Sequence, residues 1–264
     1  MARRSLQGSR VVITGASSGI GRELARALAR EGAQLLLVAR REERLRQLAD
    51  ELTGTGAQVE IVAGDVTDPE LRQTICQRTS SAFGGLDVLV NNAGVGALGR
   101  FDEAMPERLR QMMEVNFFAL VEMTRVALPL LVGGRNPLVV NVSSILGHRG
   151  IPLMTEYSAS KFAVQGFSEA LRAELAARGI DVLVASPGTT ETEFFTSQVE
   201  SPGTAPWSGR RGVPADVVAR RIVNAMRRGQ HEVIPSFEGR ILVWLNRLSP
   251  RLVDAIMRRM TPPG

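Results

Sequence analysis

Short runs of continuously apolar residues recur along this chain, separated by longer segments of helical period. The runs occupy residues 11–14, 35–39, 59–63, 88–91, 138–142, 182–185 and 232–234. In the first intervening segment Ile20, Leu24, Ala27 and Leu28 share one face, and Arg22, Glu23, Arg26 and Arg30 take the other, as in a helix lying on a core. Gly32 stands where a left-handed residue would close that helix. Asp68-Pro69-Glu70 and Pro214-Ala215-Asp216 read as helix starts, with proline in the first turn and acids favoured by the helix dipole. A strand that is apolar without alternation is buried on both faces, so the pattern predicts a parallel sheet covered by helices on either side. The expected fold is therefore α/β, a doubly wound sheet of about seven parallel strands.

No linker or shift in composition divides the 264 residues, which predicts a single domain over 1–264. With 44% hydrophobic and 22% charged residues, wholesale disorder is excluded. One cysteine, Cys76, cannot make an internal disulfide and fits a reducing, cytoplasmic setting. Two histidines, His148 and His231, exclude a histidine-rich metal cluster, so no metal site is expected. The start of the chain lacks the apolar stretch of a secretory leader, and no window approaches the ~18 consecutive apolar residues of a membrane span. The net charge of +5 comes without a basic run interleaved with aromatics, so nucleic acid is not an expected partner. Residues 189–213 break the strand–helix alternation. They are rich in Ser, Thr, Gly and Pro yet carry Phe194, Phe195 and Trp207, which suggests a substrate-binding lid.

The first strand runs into Gly15-Ala16-Ser17-Ser18-Gly19-Ile20-Gly21 and then a helix. Glycines there allow a tight turn and close approach of the backbone to a pyrophosphate, whose charge suits the helix N-terminus. The spacing is GxxxGxG rather than GxGxxG, so a purely structural turn is the competing reading of this motif alone. At the end of the second strand an NAD site usually carries an acid for the ribose 2′-hydroxyl. Here Arg40 and Arg41 stand instead, which favours a 2′-phosphate over solvent-facing helix residues. The only tyrosine, Tyr157, and the only lysine, Lys161, are four residues apart on one helix face. A phenol near ~10 is a poor acid or base at neutral pH; a nearby ammonium and a cationic nicotinamide ring would bring it down. Ser143-Ser144 closes the fifth strand, where a hydroxyl can meet a substrate oxygen.

Together these segments resemble the short-chain dehydrogenase/reductase family in its compact, single-domain form with a Rossmann-type sheet. The resemblance spans residues 8–235 and rests on Thr14 to Gly21, Asp65-Val66, Asn91-Asn92-Ala93-Gly94, Asn116, Ser144, Tyr157-Ser158-Ala159-Ser160-Lys161, and Pro187-Gly188 with Thr192. It implies Tyr157 as the general acid/base and Lys161 as the residue that lowers its pKa and holds the nicotinamide ribose. It implies Ser144 as the group that polarises the carbonyl and Asn116 as the holder of a relay water. Among cofactor contacts it implies Gly15, Ser17, Ser18, Gly19, Ile20 and Gly21 at the pyrophosphate turn and Asp65 and Val66 at the adenine. Asn92, Ala93 and Gly94 would lie beside the adenosine ribose, and Pro187, Gly188, Thr189 and Thr192 at the nicotinamide and pyrophosphate. The asparagine segment is also implied to stabilise the sheet.

The expected protein is an NADP(H)-dependent oxidoreductase acting on a carbonyl or secondary alcohol, with NAD(H) the less favoured cofactor and Arg40, assisted by Arg41, choosing between them. Reduction is the expected direction. Ser144, Tyr157, Ile145, Met154, Phe194 and Phe195 suggest an apolar substrate pocket; His148 is either a further lining residue or an exposed loop residue. One rival is a β-ketoacyl carrier-protein reductase of the same family, whose chains generally end soon after the last strand. The other is a cofactor-binding sensor without catalysis, although such proteins usually lack the tyrosine or lysine. A homodimer or homotetramer is the family expectation. The extension 236–264 places Ile241, Trp244, Leu245 and Leu248, then Leu252, Val253, Ile256 and Met260, at helical spacing among arginines. Two basic amphipathic helices broken at Pro250 are predicted, serving the chain's own pocket, a neighbouring subunit or an anionic membrane surface.

Overall fold

In the computed structural model the described residues are 4–195 and 212–260. The seven apolar runs become seven parallel strands of one sheet. They are β1 (Arg10–Thr14), β2 (Gln34–Ala39), β3 (Val59–Ala63), β4 (Val88–Asn91), β5 (Leu138–Val142), β6 (Asp181–Ala185) and, last in the chain, β9 (Glu232–Val233), in the spatial order β3-β2-β1-β4-β5-β6-β9. A separate parallel ladder of two residues each joins β7 (Thr190–Glu191) to β8 (Val213–Pro214) and closes the base of the 189–213 segment.

Successive residues of each strand serve opposite cores. Val11 and Ile13 join Leu35, Leu37 and Val140 under α1 (Gly19–Arg30), α2 (Glu42–Thr53) and α7 (Ala215–Arg228). Val12 joins Leu36, Leu89 and Val139 under α3 (Pro69–Phe83), α5 (Ala119–Val132) and α6 (Thr155–Ala176). Both faces are dry, which is why the strands lack alternation. The expected ends also appear. Gly32 adopts φ +77° after α1, and Asp68 caps α3 by accepting from Glu70 N at 2.9 Å. Pro214 differs: it occupies the cap of α7 rather than its first turn. At the opposite end of the sheet from the strand C-termini, the buried Asp87 accepts from Arg10 N, Nε and Nη2 and from Arg135 N; burial pushes its carboxyl up, but these bonds together outweigh it and hold the group at about 2.

α4 (Pro106–Met113) continues through a π-helical turn, Glu114–Phe118, into α5. The composite helix is 27 residues long with a window of mean hydropathy 1.6, so length and composition alone would let it cross a membrane. Here its inner face packs on the sheet through Ala119, Met123, Ala127 and Leu131, which accounts for the apolar character.

The extension forms the two expected helices, α8 (Phe237–Leu248) and α9 (Pro250–Met260). Arg149 donates to Asn246 Oδ1 and Asp254 Oδ1, Asn246 donates to the His148 carbonyl, and Val243 and Val253 are buried. The first turn of α8 is very close-packed. A Cβ on Gly239 would lie 2.8 Å from Ile145 Cγ2, and one on Gly188 2.9 Å from Ser236 Oγ.

Candidate active site

The strand order reverses between β1 and β4, and a doubly wound sheet opens a crevice beyond the strand ends at that point. A cavity of about 520 Å³ occupies it, within the range that holds small-molecule ligands. Its floor is the β1–α1 corner. Gly15 and Gly19 adopt φ of +67° and +54°, a region that strains other residues. A Cβ on Gly15 would reach 2.8 Å from Ala93 Cα, and one on Gly21 would reach 2.3 Å from the Gly15 carbonyl. Gly21 therefore packs the turn rather than lining the cavity, whereas Gly15, Ser17, Ser18, Gly19 and Ile20 line it. Ser18, at the N-cap of α1, has no side-chain bond to that helix; its hydroxyl accepts from Arg41 Nη2 at 2.6 Å. The positive end of α1 thus faces the cavity, and a cradle of this kind fits a dinucleotide pyrophosphate. Asn92 Nδ2 donates to the carbonyls of Thr14 and Gly15, and Asn91 Nδ2 to Thr124 and Asn141, so the asparagine segment locks β4 to its neighbours as well as lining the cavity at Asn92, Ala93 and Gly94.

Beyond β2 the two arginines part company. Arg41 bonds Ser17 Oγ at 3.2 and 3.1 Å through Nε and Nη2 and pairs through Nη1 with Glu193 at 3.1 Å. Arg40 is 67% exposed and only 3.8 Å from Asp65 Oδ2. Arg41, not Arg40, is therefore the guanidinium fixed at the turn. Glu193, just after Thr192, also receives Arg44. Neither Glu193 nor Arg44 was marked by any motif. Asp65 and Val66 line the adjoining end, with Asp65 Oδ1 held by Thr67.

At the other end Ser144, Tyr157 and Lys161 converge. Lys161 Nζ lies 5.7 Å from the Tyr157 ring centroid and donates to the Val142 carbonyl at 3.0 Å. Ser144 Oγ accepts from Leu146 N and donates to the Pro187 carbonyl. Burial pushes the Tyr157 phenol up to about 12, against a smaller downward pull from its hydrogen bond with Ser144. Burial also pushes the Lys161 ammonium down to about 8. The expected lowering of the phenol by its cation is therefore not found, because desolvation dominates at both groups. Asn116, in the π-helical turn, sits behind the lysine without lining the cavity. Its Oδ1 accepts from Val95 N, and its Nδ2 donates to the Val95 carbonyl and Ser160 Oγ.

Pro187, Gly188, Thr189 and Thr192 form one wall, with Ile145, Met154 and Phe194 at the mouth. Phe194 stacks tilted on Tyr157 at 5.6 Å, and a Cβ on Gly96 would meet its ring at 2.7 Å. The Phe195 side chain and Trp207 lie outside the described residues. His148 is neither a lining residue nor an exposed one. Its side chain is 7% exposed, with Nε2 at 3.0 Å from Ser186 Oγ and 3.1 Å from Glu232 Oε1. Ser186 directly follows β6 and Glu232 lies on β9, both too distant in sequence to be anticipated. Val95, Leu146 and Ile151 also line the pocket and were not foreseen; nothing but their apolarity could have marked them. Among the described residues no cluster of metal-ligating side chains occurs.

Comparison with known proteins gives the same picture. The family model "short chain dehydrogenase" matches residues 9–203. A mouse protein named Dehydrogenase/reductase SDR family member 7B is 34% identical over 261 residues, covering 96% of this chain and 81% of its own. Ketoacyl reductase HetN of Nostoc is 30% identical over 260 residues, covering 96% and 90%. Among solved structures, a short chain dehydrogenase/reductase from Burkholderia phymatum in complex with NAD superposes with TM-score 0.86 at 27% identity over 99% of both chains. An alcohol dehydrogenase from Thermococcus sibiricus complexed with 5-hydroxy-NADP gives TM-score 0.77 at 29% identity, over 86% of this chain and 96% of that one. The glycine corner, the Ser144–Tyr157–Lys161 convergence and these matches lead to one statement: the chain belongs to the short-chain dehydrogenase family of oxidoreductases.

Proposed function

We propose that the protein is an NADP(H)-dependent oxidoreductase that reduces an apolar ketone or aldehyde to its alcohol, Tyr157 supplying the proton. The observation that carries this reading is the meeting of Ser144, Tyr157 and Lys161 in the cavity whose far end is the glycine cradle. A bound nicotinamide supplies the hydride; the chain supplies alignment and the proton. Ser144 can donate to the substrate oxygen and orient it toward the phenol. A phenol raised to about 12 keeps its proton at neutral pH, which suits donation to a carbonyl oxygen as negative charge develops there. Lys161, near 8, stays largely protonated at neutral pH and stabilises the phenolate left behind.

Arg41, held by Ser17 and Ser18 where an acid would otherwise serve a ribose hydroxyl, supports the phosphorylated cofactor. Arg40, exposed at the same end of the cavity, is a second guanidinium. The lone Cys76 supports a reducing, cytoplasmic setting, and a homo-oligomer remains the family's expectation. A β-ketoacyl thioester is the second substrate reading, supported by the likeness to Ketoacyl reductase HetN. That likeness runs over 260 residues, so a long tail does not separate the two readings.

The test is a titration of NADPH and NADH into wild type and Tyr157→Phe, followed by turnover on ketones, aldehydes and a β-ketoacyl thioester, read by nicotinamide absorbance. NADPH is expected to bind at least about tenfold tighter. Tyr157→Phe should bind it normally and turn over about 10²–10⁴-fold more slowly. Equal cofactor affinities would overturn the phosphate reading, and a variant retaining above about a tenth of wild-type kcat would overturn the tyrosine's role.

A further inference from the structure

The inner face of α8 and α9 is consumed by the fold, through Gly239, Val243 and Val253. Their outer face is not. Phe237, Ile241, Trp244 and Leu248 recur at helical spacing and are 68%, 50%, 65% and 72% exposed. Leu252 and Ile256 continue the pattern on α9. Six of the twelve exposed large hydrophobic side chains among the described residues thus fall in one twenty-residue stretch, a concentration that marks an interaction surface rather than scattered surface apolarity.

The charge beside this stripe is mostly positive, five arginines against the single exposed acid Glu238. Arg240, Arg247, Arg251, Arg258 and Arg259 are all exposed, and the Arg240 guanidinium lies 5.8 Å from the Phe237 ring. The acids of this stretch are Glu238 and Asp254, and Asp254 is already paired with Arg149. We propose that the outer face of α8 and α9 docks the protein on an anionic lipid bilayer. The aromatic and aliphatic stripe enters the acyl boundary, and the arginines reach back to the headgroup phosphates.

Two features select a bilayer over other occupants. A two-fold contact between copies would set one arginine row against its equivalent, at a repulsive cost. A peptide partner would need a groove, whereas these side chains stand outward on the exposed faces of two helices. A row of Phe, Trp, Ile and Leu flanked by arginine is instead the composition of a helix that lies in a membrane interface. The start of α8 also backs Ile145 and Gly188, so the membrane-facing helix and the pocket share a wall.

The experiment is flotation of the full-length protein with vesicles of equimolar phosphatidylglycerol and phosphatidylcholine, and with phosphatidylcholine alone. Trp207→Phe leaves Trp244 as the sole fluorescent reporter. Flotation with the anionic vesicles only, a blue shift of Trp244 emission, and about fivefold weaker partition for each of Arg240→Gln, Arg247→Gln and Arg251→Gln are expected. Trp244→Glu/Leu248→Glu should abolish flotation while leaving the mass in light scattering and the cofactor affinity unchanged. No flotation, equal flotation on both vesicles, or normal flotation of the double variant would overturn the proposal. A fall in mass for that variant would assign the stripe to a contact between copies and overturn it equally.

Discussion

Replacing Lys161 with methionine should destroy activity and stabilise the protein. The ammonium is buried, and its pKa falls from the ordinary 10.5 to about 8. At ~1.36 kcal/mol per pH unit that gap is worth about 3 kcal/mol against the fold. Methionine removes the charge and keeps most of the stem, but the Val142 carbonyl loses its donor, returning about 1 kcal/mol. The net expectation is a gain of about 2 kcal/mol at pH 7. The sign of its pH dependence is fixed by linkage. Below pH 8 both folded and unfolded chains are protonated at this lysine, so the fold carries the full penalty. Between about 8 and 10.5 only the unfolded chain keeps the proton, and wild-type stability rises. The advantage of the variant should therefore shrink to near zero by about pH 10. Tyr157 titrates in both proteins, and its contribution cancels in the difference. Urea unfolding at pH 7 and pH 10, without added nucleotide, measures the gap. A variant less stable than wild type at pH 7, or a gap of equal size at both pH values, would refute desolvation as the cause. A stability gain with lost turnover would place Lys161 among the residues kept for chemistry at the expense of the fold.

Two further outcomes are expected. Asp87→Asn should cost about 2 kcal/mol at pH 7, because the carboxyl is held at about 2 rather than 3.8 by Arg10 and Arg135. That contribution is present above pH 3.8 and lost as pH falls through about 2, so acid unfolding of wild type and variant should converge there; parallel curves would contradict it. Glu193→Gln should tighten NADPH binding about two- to fivefold at low salt, since its carboxylate competes with a phosphate for Arg41 and Arg44. The ion pairs are half exposed, so the effect should fade with added salt, and unchanged or weaker binding would show that no such competition exists.

What could be read from the sequence was what depends on near neighbours. β2 and β5 are apolar on both faces and announce themselves, and Asp68-Pro69 carries its own cap. Tyr157 and Lys161 meet because a helix brings residues four apart together. Arg40 and Arg41 are adjacent in sequence yet point to different partners. Both line the crevice, and that Arg41 is the one fixed beside the turn depends on Ser17, Ser18 and Glu193, which only the fold assembles. His148 was misplaced for the same reason, since Ser186 and Glu232 reach it through β6 and β9. The direction of the tyrosine shift was also out of reach, because local spacing carries the charge of Lys161 but not the depth at which both groups sit.

The tight seat of α8 against the pocket has a consequence for exchange of parts between relatives. Gly239 admits Ile145, and Gly188 admits Ser236, with no room for another carbon at either contact. A bulkier side chain taken from a homologue at position 145 or 188, on the pocket wall, would lever the extension off its bed. A smaller one at 145 would leave a void beside Ser144. Specificity swaps in this protein should therefore travel as a cassette of pocket wall and tail together, and random libraries at the pocket should recover paired changes at 145 and 239 rather than single ones.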